Sequence, residues 1–225
     1  MTDDPLVMVR TWLARPVLEV APALLGARLT TVVGGRTVTV RLTEVEAYDG
    51  QNDPGSHAHR GETSRNAVMF GPAGHLYVYR HMGLHHCANV VTGAAGSASA
   101  VLLRAGEVVE GQEVARERRL LQGVVRTEAD LARGPARLAV ALGLDLSLYG
   151  LDLLAADSPV RLDPGRTALD HLTGPRVGVA GEGGEADRFP WRFWLPWEPT
   201  VSVYRPGARS RRRTAAPTGP AGTAH

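Results

Sequence analysis

The sequence predicts an α+β protein built on an antiparallel sheet. Short segments with strand-like alternation follow one another across residues 30–104 and are separated by glycine-rich turns. Segments with helical spacing of apolar residues lie before and after them, in 16–29 and 107–142. Strands joined by turns too short for a crossover helix pair in antiparallel fashion. At 225 residues, the chain fits one large domain or two small ones.

One helix and one hairpin are predicted near the N-terminus. Apolar residues in 16–29 recur at helical spacing and stop near Gly26, and Pro22 either kinks this helix or opens a shorter one. Strand-like alternation in 30–33 and 37–47 flanks two consecutive glycines, a pattern typical of a tight hairpin.

The second strand of that hairpin is predicted to run from apolar into polar residues on one face. This face starts at Val38 and, by period two, continues through Glu44, Glu46 and Tyr48. Carboxylates on the apolar side of a strand lie either at its exposed end or in a site.

A long polar loop and a second hairpin follow. Residues 49–75 are dense in Gly, Pro, Asp, Asn and Ser, and a loop of this length is usually functional or disordered. Strands are predicted at 76–79 and 87–91 around a tip at His81-Met82-Gly83, and another at 99–104 after a glycine turn.

Two helical segments and two or three short strands are predicted in the remainder. A charged amphipathic helix is expected at 107–122. A second helical segment at 127–142 is expected to break at Gly134-Pro135, where the proline opens a new helix. The short strands are predicted at residues 159–162, 176–179 and 191–203.

The net charge of +2 is unevenly distributed along the chain. Residues 205–225 hold five arginines and no acid, so the first 204 residues carry 20 basic and 23 acidic side chains. A basic segment rich in Pro, Gly, Ala and Thr is expected to be disordered. It is either a solvated tail without a role or a source of non-specific attraction to phosphates.

Composition also excludes some chemistry and suggests a compartment. The chain has no lysine, so no lysine side chain can form a Schiff base. Its single cysteine, Cys87, cannot form an intramolecular disulfide, which fits a reducing cytosol. No segment is long and apolar enough to span a bilayer, and the N-terminus lacks the features of a secretory signal. We therefore expect a cytoplasmic protein.

Seven segments together resemble the alkyladenine (3-methyladenine) DNA glycosylase family. They occur in the order and spacing of that family between about residues 16 and 205, which is more specific than any single short motif. The matching segments are EVEAYDG at 44–50, SHAHRG at 56–61, TSRNAVMFGPAGHLYVY at 63–79, HCANVVTG at 86–93, AVLLRA at 100–105, GPARLAVALGL at 134–144 and RVGV at 176–179.

The resemblance implies one α+β glycosylase domain at 16–205, with a curved antiparallel sheet and surrounding helices. A lead-in at 1–15 and a disordered basic tail at 206–225 would flank it. A protruding β-hairpin would enter the minor groove of double-stranded DNA, and the target nucleotide would swing into a pocket. The implied reaction hydrolyses the N-glycosidic bond of damaged purines such as 3-methyladenine, 7-methylguanine or hypoxanthine. We expect no cofactor, a monomer, and association with the bacterial nucleoid.

Three residues match positions that act on the attacking water in this family. Glu46 would serve as general base and face the developing oxocarbenium cation. Arg104 would help to hold the water and a DNA phosphate, and the backbone of Val177 would contact the same water. From the residues alone, a glutamate at a strand end is usually a solvated residue, and Arg104 can belong to a structural ion pair.

Four residues match the base-binding pocket of the family. Tyr48, Tyr79 and His57 would stack on the flipped base, and their electron-rich rings favour a positively charged alkylated purine. The amide of Asn89 would clash with the exocyclic amino group of guanine. Otherwise, the tyrosines are ordinary sheet residues, His57 is a solvated loop residue, and Asn89 bonds within a turn or ladder.

The hairpin tip departs from the family, which usually carries a tyrosine as the wedge that fills the gap left by the flipped base. Met82 stands at this position here, and methionine is apolar but has no ring to stack on bases. Glu62 also replaces a residue that tends to be basic. Contacts to the DNA backbone are expected from Arg80, Thr63, Arg65 and Arg137.

Three features of the sequence suggest functions other than a glycosylase. Six histidines between 57 and 86, with Cys87, could suggest a metal site, but their spacing matches no closed zinc pattern, so we expect no metal. A non-catalytic binder of damaged DNA with the same fold remains the main alternative. A glycosidase with Glu44 and Glu46 as its two carboxylates is disfavoured, since such a pair must flank the scissile bond.

Overall fold

The computed structural model describes residues 5–163 and 169–207. Within these ranges, eight strands form one antiparallel sheet with four α-helices around it, which confirms the predicted α+β class and antiparallel core. The helices are α1 Pro5–Leu13, α2 Val17–Ala23, α3 Gln112–Leu120 and α4 Pro135–Leu142. The strands are β1 Arg28–Val33, β2 Arg36–Tyr48, β3 Leu76–His81, β4 His85–Thr92, β5 Ser99–Glu110, β6 Val160–Asp163, β7 Leu172–Gly174 and β8 Arg192–Trp194.

Strand β2 lies at the centre of the sheet. The hydrogen-bonded order is β3-β4-β5-β2-β1-β6, and β8 pairs with both β2 and β7. β1 covers residues 36–41 of β2, whereas β8 covers its C-terminal part at Glu44, Val45 and Glu46. Both predicted hairpins are present, as β1–β2 and β3–β4.

Both faces of the central strands are buried, and successive residues project to them in turn. One face packs against α2 and α4 in the main apolar core, and its residues include Val45, Ala47, Val90, Val101 and Leu103. The other face lies under the loop at 49–75 and forms a smaller cluster with it: Ala58, Met69, Tyr77, Val91, Ala98 and Ala100. The second face is therefore free to carry polar residues.

The prediction that Glu44, Glu46 and Tyr48 lie on the apolar face of β2 is wrong, because the strand pairing contains bulges. Leu42 and Val45 both face the main core, although period two would place them on opposite faces. The register with β5 shifts between Leu42 and Glu44 and again between Glu44 and Val45. A bulge inserts one unpaired residue and thereby changes which face later residues occupy. Glu44 and Glu46 thus leave the apolar face and enter the second one.

Several predicted boundaries also need correction. β5 continues to Glu110, so the helix expected at 107–122 begins only at Gln112. Gly111 separates the two elements with φ 75°, and a Cβ there would lie 2.2 Å from the carbonyl oxygen of Thr37. The helix expected at 16–29 is confined to α2, which begins at Val17 and contains Pro22, so Pro22 does not open a separate helix.

Other corrections concern the second half of the chain. The segment 127–142 consists of a short 3-10 helix, Glu128–Asp130, and then α4, which starts after the predicted break at Gly134. Residues 177 and 178 form a turn, and 176 and 179 belong to no strand. Only Arg192–Trp194 of the stretch 191–203 is extended in the sheet.

The ends of the chain need separate mention. Helix α1 occupies most of the predicted lead-in. The predicted tail lies outside the described residues from position 208 onward. In the part of the chain that the structure describes, no helix has both the length and the apolar character needed to cross a membrane.

Candidate active site

A cavity of about 490 Å³ opens on the sheet face that is turned away from the main core. This volume falls within the roughly 300–1,000 Å³ typical of small-ligand sites. Strands β3, β4 and β5 provide its floor, and residues 54–57 and 177–180 provide two of its sides. Among the residues that line it are Tyr48, His57, Tyr77, Tyr79, Asn89, Arg104 and Val177.

Cross-strand register assembles the floor. Tyr77 pairs with Asn89, Asn89 with Leu102, and Leu102 with Glu46 in successive ladders. Directly opposed residues on neighbouring strands project to the same face. Four side chains from four strands therefore form one row across the sheet.

The carboxylate of Glu46 is fully buried and accepts three hydrogen bonds. Oε1 accepts from the backbone N–H of Val177 at 2.6 Å. Oε2 accepts from the hydroxyl of Tyr48 at 2.9 Å and from Nη1 of Arg104 at 3.3 Å. These three partners line the cavity and Glu46 lies behind them. A water from the cavity can reach the carboxylate only if one of them moves.

Tyr48 combines a stacking surface with a hydrogen-bond donor. Burial, followed by the charge of Glu46, raises the pKa of its hydroxyl well above the usual value, so the group stays protonated at neutral pH. The guanidinium carbon of Arg176 lies 4.5 Å from the centroid of the Tyr48 ring. Arg176 is fully buried and, unlike Tyr48, does not line the cavity, so it packs against the ring behind the cavity wall.

Arg104 is shared between two buried carboxylates. The bulge leaves it without a paired residue on β2, and its Nε donates to Glu44 at 3.0 Å while Nη1 reaches Glu46. Glu44 also accepts from Nε of Arg192 at 2.6 Å and from the backbone and hydroxyl of Ser202 at 2.7 and 2.9 Å. Burial opposes the charge of Arg104, but Glu46 and Glu44 raise its pKa above the usual value, so it remains a cation.

Aromatic rings form the opposite wall. The rings of His57 and Tyr79 meet edge to face with centroids 4.5 Å apart, and Nδ1 of His57 lies 3.0 Å from the hydroxyl of Tyr77. His57 is exposed as a residue, but its ring packs against these tyrosines. This desolvation, followed by the charges of Arg65 and His81, lowers the pKa of His57 to about 4, so the ring is neutral at pH 7.

Asn89 is fixed at the floor of the cavity. Its Nδ2 donates to the carbonyl oxygen of Tyr77 at 2.9 Å, and only 4% of the residue is exposed. The amide therefore cannot change its orientation at the cavity floor without losing a buried hydrogen bond. Cys87 lines the same floor, and burial raises the pKa of its thiol.

The β3–β4 hairpin ends in an exposed apolar tip. Met82 and Gly83 have φ of 49° and 71°, and the N–H of Leu84 donates to the carbonyl of His81 at 3.0 Å, which is typical of a type I′ turn. Met82 is 82% exposed and Leu84 is 75% exposed. Positive φ is unfavourable for methionine, so the tip holds an apolar side chain in a strained backbone conformation.

The chain is similar to known proteins over most of its length. The model of the methylpurine-DNA glycosylase family matches residues 11–199. The chain belongs to this family. It is thus an enzyme of the DNA glycosylase class, which hydrolyses N-glycosyl bonds and has DNA as substrate.

Similar proteins come from several bacteria. One from Streptomyces avermitilis is 52% identical over 214 residues, which covers 94% of this chain and 98% of that protein. Relatives from Leifsonia xyli and Nocardia farcinica are each 54% identical, and each alignment covers 84% of this chain and 88% of the relative. All three are provisionally named 3-methyladenine DNA glycosylases.

Two predicted DNA contacts of the glycosylase lie on the rim near the hairpin. Arg65 is exposed, donates to the carbonyl of Arg80 at 3.4 Å, and has its guanidinium carbon 5.4 Å from the centroid of Tyr79. Arg80 is exposed on β3, two residues before Met82. Both cations are therefore beside the cavity and available to an anionic partner.

The two other predicted contacts are already engaged in the free enzyme. The N–H and hydroxyl of Thr63 donate to Oδ1 of Asn66 at 2.6 and 3.0 Å. Nη1 of Arg137 lies 3.1 Å from a carboxylate oxygen of Asp130. Arg137 is close to the start of α4, where Pro135 lines the cavity.

Sequence reasoning missed residues that hold the site in shape. Buried Asn66 donates to the carbonyls of His57 and Gly61, and so orders the loop that carries His57. Its only sequence signal is a polar residue in a turn-rich stretch. Asp53 and Arg176 form a buried ion pair behind Tyr48. In residues 5–163 and 169–207, no group of three or more His, Cys, Asp and Glu side chains is placed to hold a metal ion.

Proposed function

We propose that the enzyme flips and excises alkylated or deaminated purines from double-stranded DNA, including 3-methyladenine, and leaves an intact abasic site. The observation that carries this proposal is the buried carboxylate of Glu46, which lies behind a cavity walled by Tyr48, His57 and Tyr79. A flipped base would stack between the rings, with its sugar directed towards Glu46 and Arg104.

The chemistry follows from the charges around Glu46. As the bond between C1′ and the base nitrogen breaks, the bond electrons leave with the base and C1′ gains oxocarbenium character. The negative carboxylate stabilises this cation. Once one of its three hydrogen-bond partners moves aside and admits a water, the carboxylate accepts a proton as that water adds to C1′. A cationic alkylated purine departs as a neutral molecule and needs no proton, whereas neutral hypoxanthine departs as an anion and takes up a proton from water. Neutral His57, Tyr48 and Tyr79 present faces that attract such a cation.

Arg104 would contact a DNA phosphate next to the flipped nucleotide. It remains a cation within a buried network and also lines the cavity, a position from which it can contact an anion. Met82 would wedge into the duplex through the minor groove, and Arg65 and Arg80 would contact the DNA backbone.

A single assay tests this proposal and the absence of a Schiff base. Duplex oligonucleotides with hypoxanthine, ethenoadenine or a 3-methyladenine analogue are incubated with the enzyme, and released base and strand cleavage are measured separately. We expect free base, with strand breaks only after alkali. Borohydride should trap no covalent complex, because the chain has no lysine. Trapping would show that the N-terminal amine replaces it.

A non-catalytic binder of damaged DNA is the alternative. It is favoured by one observation: Glu46 has no exposed surface, since Tyr48, Arg104 and Val177 surround its carboxylate. The two functions differ in outcome. A binder would shift damaged duplex in a gel and release no base from any of the oligonucleotides.

A further inference from the structure

A second ion pair lies fully buried behind the cavity wall. Arg176 and Asp53 both have 0% of their side chains exposed. The two terminal nitrogens of Arg176 donate to the two oxygens of Asp53, at 2.5 and 2.7 Å. They also donate to the carbonyls of Ala47 at 2.9 Å and Gly183 at 2.7 Å.

The surroundings of this pair are mostly aromatic. The guanidinium carbon of Arg176 lies 4.5 Å from the ring centroid of Tyr48, 5.3 Å from Trp191 and 5.7 Å from Phe189. Nε of Arg176 is buried and has no hydrogen-bond partner within residues 5–163 and 169–207. Burying an ion pair adds little stability compared with apolar side chains of similar volume, and an unpaired N–H adds a cost. Stability alone is therefore a weak reason for this arrangement.

The contacts of Arg176 join three parts of the site. Ala47 and Tyr48 belong to β2, the strand that carries Glu46. Asp53 precedes residues 54–57 of the cavity wall, and Gly55 is so close that a Cβ on it would lie 2.6 Å from Nη2 of Arg176. Val177, the next residue in the chain, donates its N–H to Glu46.

Resting on the glycosylase function proposed above, we propose that Arg176, fixed by Asp53, is a positioning residue for base stacking and for water activation together. It holds the ring of Tyr48 on one side and the N–H of Val177 on the other. Because both groups bond to Glu46, one buried side chain sets the position of the stacked base and the orientation of the carboxylate. Arg176 itself touches neither base nor water.

The test compares the loss of two carboxylates in the full chain: Asp53, which is fully buried, and Asp152, which is half-buried. Asp53→Asn weakens the hold on Arg176. Asp152→Asn is the matched control, since Asp152 accepts from Nη2 of Arg10 at 2.7 and 3.0 Å and lines no part of the cavity. Single-turnover excision of hypoxanthine is measured with saturating enzyme, below the unfolding transition of each variant. We expect Asp53→Asn to lose on the order of 10–100-fold in rate, while its Kd for undamaged duplex and the rate of Asp152→Asn stay unchanged.

A double-mutant cycle distinguishes a specific effect through Arg176 from a general loosening of the structure. If Asp53 acts through Arg176 on Tyr48, the rate losses of Asp53→Asn and Tyr48→Phe should not multiply, whereas those of Asp152→Asn and Tyr48→Phe should. Should Asp53→Asn fail to fold, Asp53→Glu replaces it under the same expectations. A wild-type rate for the Asp53 variant, or multiplicative losses with Tyr48→Phe, would overturn the proposal. A wild-type enzyme that releases no base would instead refute the proposed function.

Discussion

Val177 donates its backbone N–H to the carboxylate of Glu46 at 2.6 Å, although 131 positions separate the two residues. The hydroxyl of Tyr48 holds the other oxygen. Only a substitution by proline would remove this backbone donor. With any other residue at position 177, the orientation of Glu46 depends on where the turn at 177 and 178 is held. This relationship links the sheet, which carries the carboxylate, to a loop near the other end of the chain.

Loss of the amide at Asn89 should relax selectivity. The amide is anchored to the carbonyl of Tyr77 and lies on the cavity floor, where it would clash with the exocyclic amino group of guanine. We expect Asn89→Ala to release unmodified guanine from duplex DNA, measured by chromatography of free bases, while hypoxanthine excision persists. Cys87→Ala enlarges the same floor without touching the amide and should release none. An unchanged substrate range for Asn89→Ala would exclude this role.

The titration of His57 should occur far below neutral pH. Packing of its ring lowers its pKa from 6.5 to about 4. Protonation would place a cation against a cationic base, so excision of 7-methylguanine should lose this contribution only as pH approaches about 4. A ¹³C-edited NMR titration measures the midpoint directly. A midpoint near 6.5 would contradict the packed, neutral ring.

The lowered pKa of His57 should also make the stability of the fold depend on pH. The unfolded chain binds a proton at His57 near pH 6.5 and the folded chain only near pH 4. The free energy of unfolding should therefore fall between these values as pH drops, and level off below pH 4 for this group. The effect is small because the residue remains exposed. Denaturant titrations of His57→Asn, in which this part of the pH dependence disappears, provide the check.

A substitution at the hairpin tip should affect the stability of the fold and the affinity for DNA in opposite directions. Met82 has φ 49° and an 82% exposed side chain, so Met82→Gly removes strain and an apolar wedge at once. We expect the free energy of unfolding to rise by about 0.5–1 kcal/mol and the affinity for abasic duplex to fall. Met82→Tyr, which adds a ring able to stack on bases, should lengthen the residence time on that duplex. Equal dissociation rates for wild type and both variants would remove Met82 from the interface.

Glu44 should be essential for stability. It is fully buried and accepts hydrogen bonds from Arg104, Arg192 and Ser202. Glu44→Gln leaves two buried arginines short of one counter-charge, a change that typically costs about 3–5 kcal/mol. Chemical denaturation should show this loss. Glu198→Gln, at a partly exposed ion pair with Arg41, should cost less than about 1 kcal/mol.

The sequence predicted the antiparallel sheet and both hairpins because alternation and glycine turns are local signals. It placed Glu46 on the wrong face, since the bulges at Thr43 and Arg104 depend on pairing with a distant strand. The helix at 107–122 began too early for a related reason, as strand pairing with β2 overrides the helical spacing of residues 107–110.

The site was predicted unevenly for similar reasons. The family resemblance named Tyr48, His57, Tyr79 and Asn89, and these residues share one cavity in the structure. The ion pair of Arg176 with Asp53 could not be predicted, because its partners are 123 positions apart and no local pattern marks either residue as buried. Membership of the methylpurine-DNA glycosylase family confirms the resemblance itself.

The most direct test of the account is base release by Glu46→Gln. Glutamine keeps the size of the side chain and can still accept from the N–H of Val177, but it can neither take a proton from water nor oppose a developing cation. We predict that Glu46→Gln binds hypoxanthine-containing duplex with a Kd close to that of wild type, while single-turnover excision falls by roughly 10²–10⁴-fold. Release of base at the wild-type rate by this variant would contradict the account.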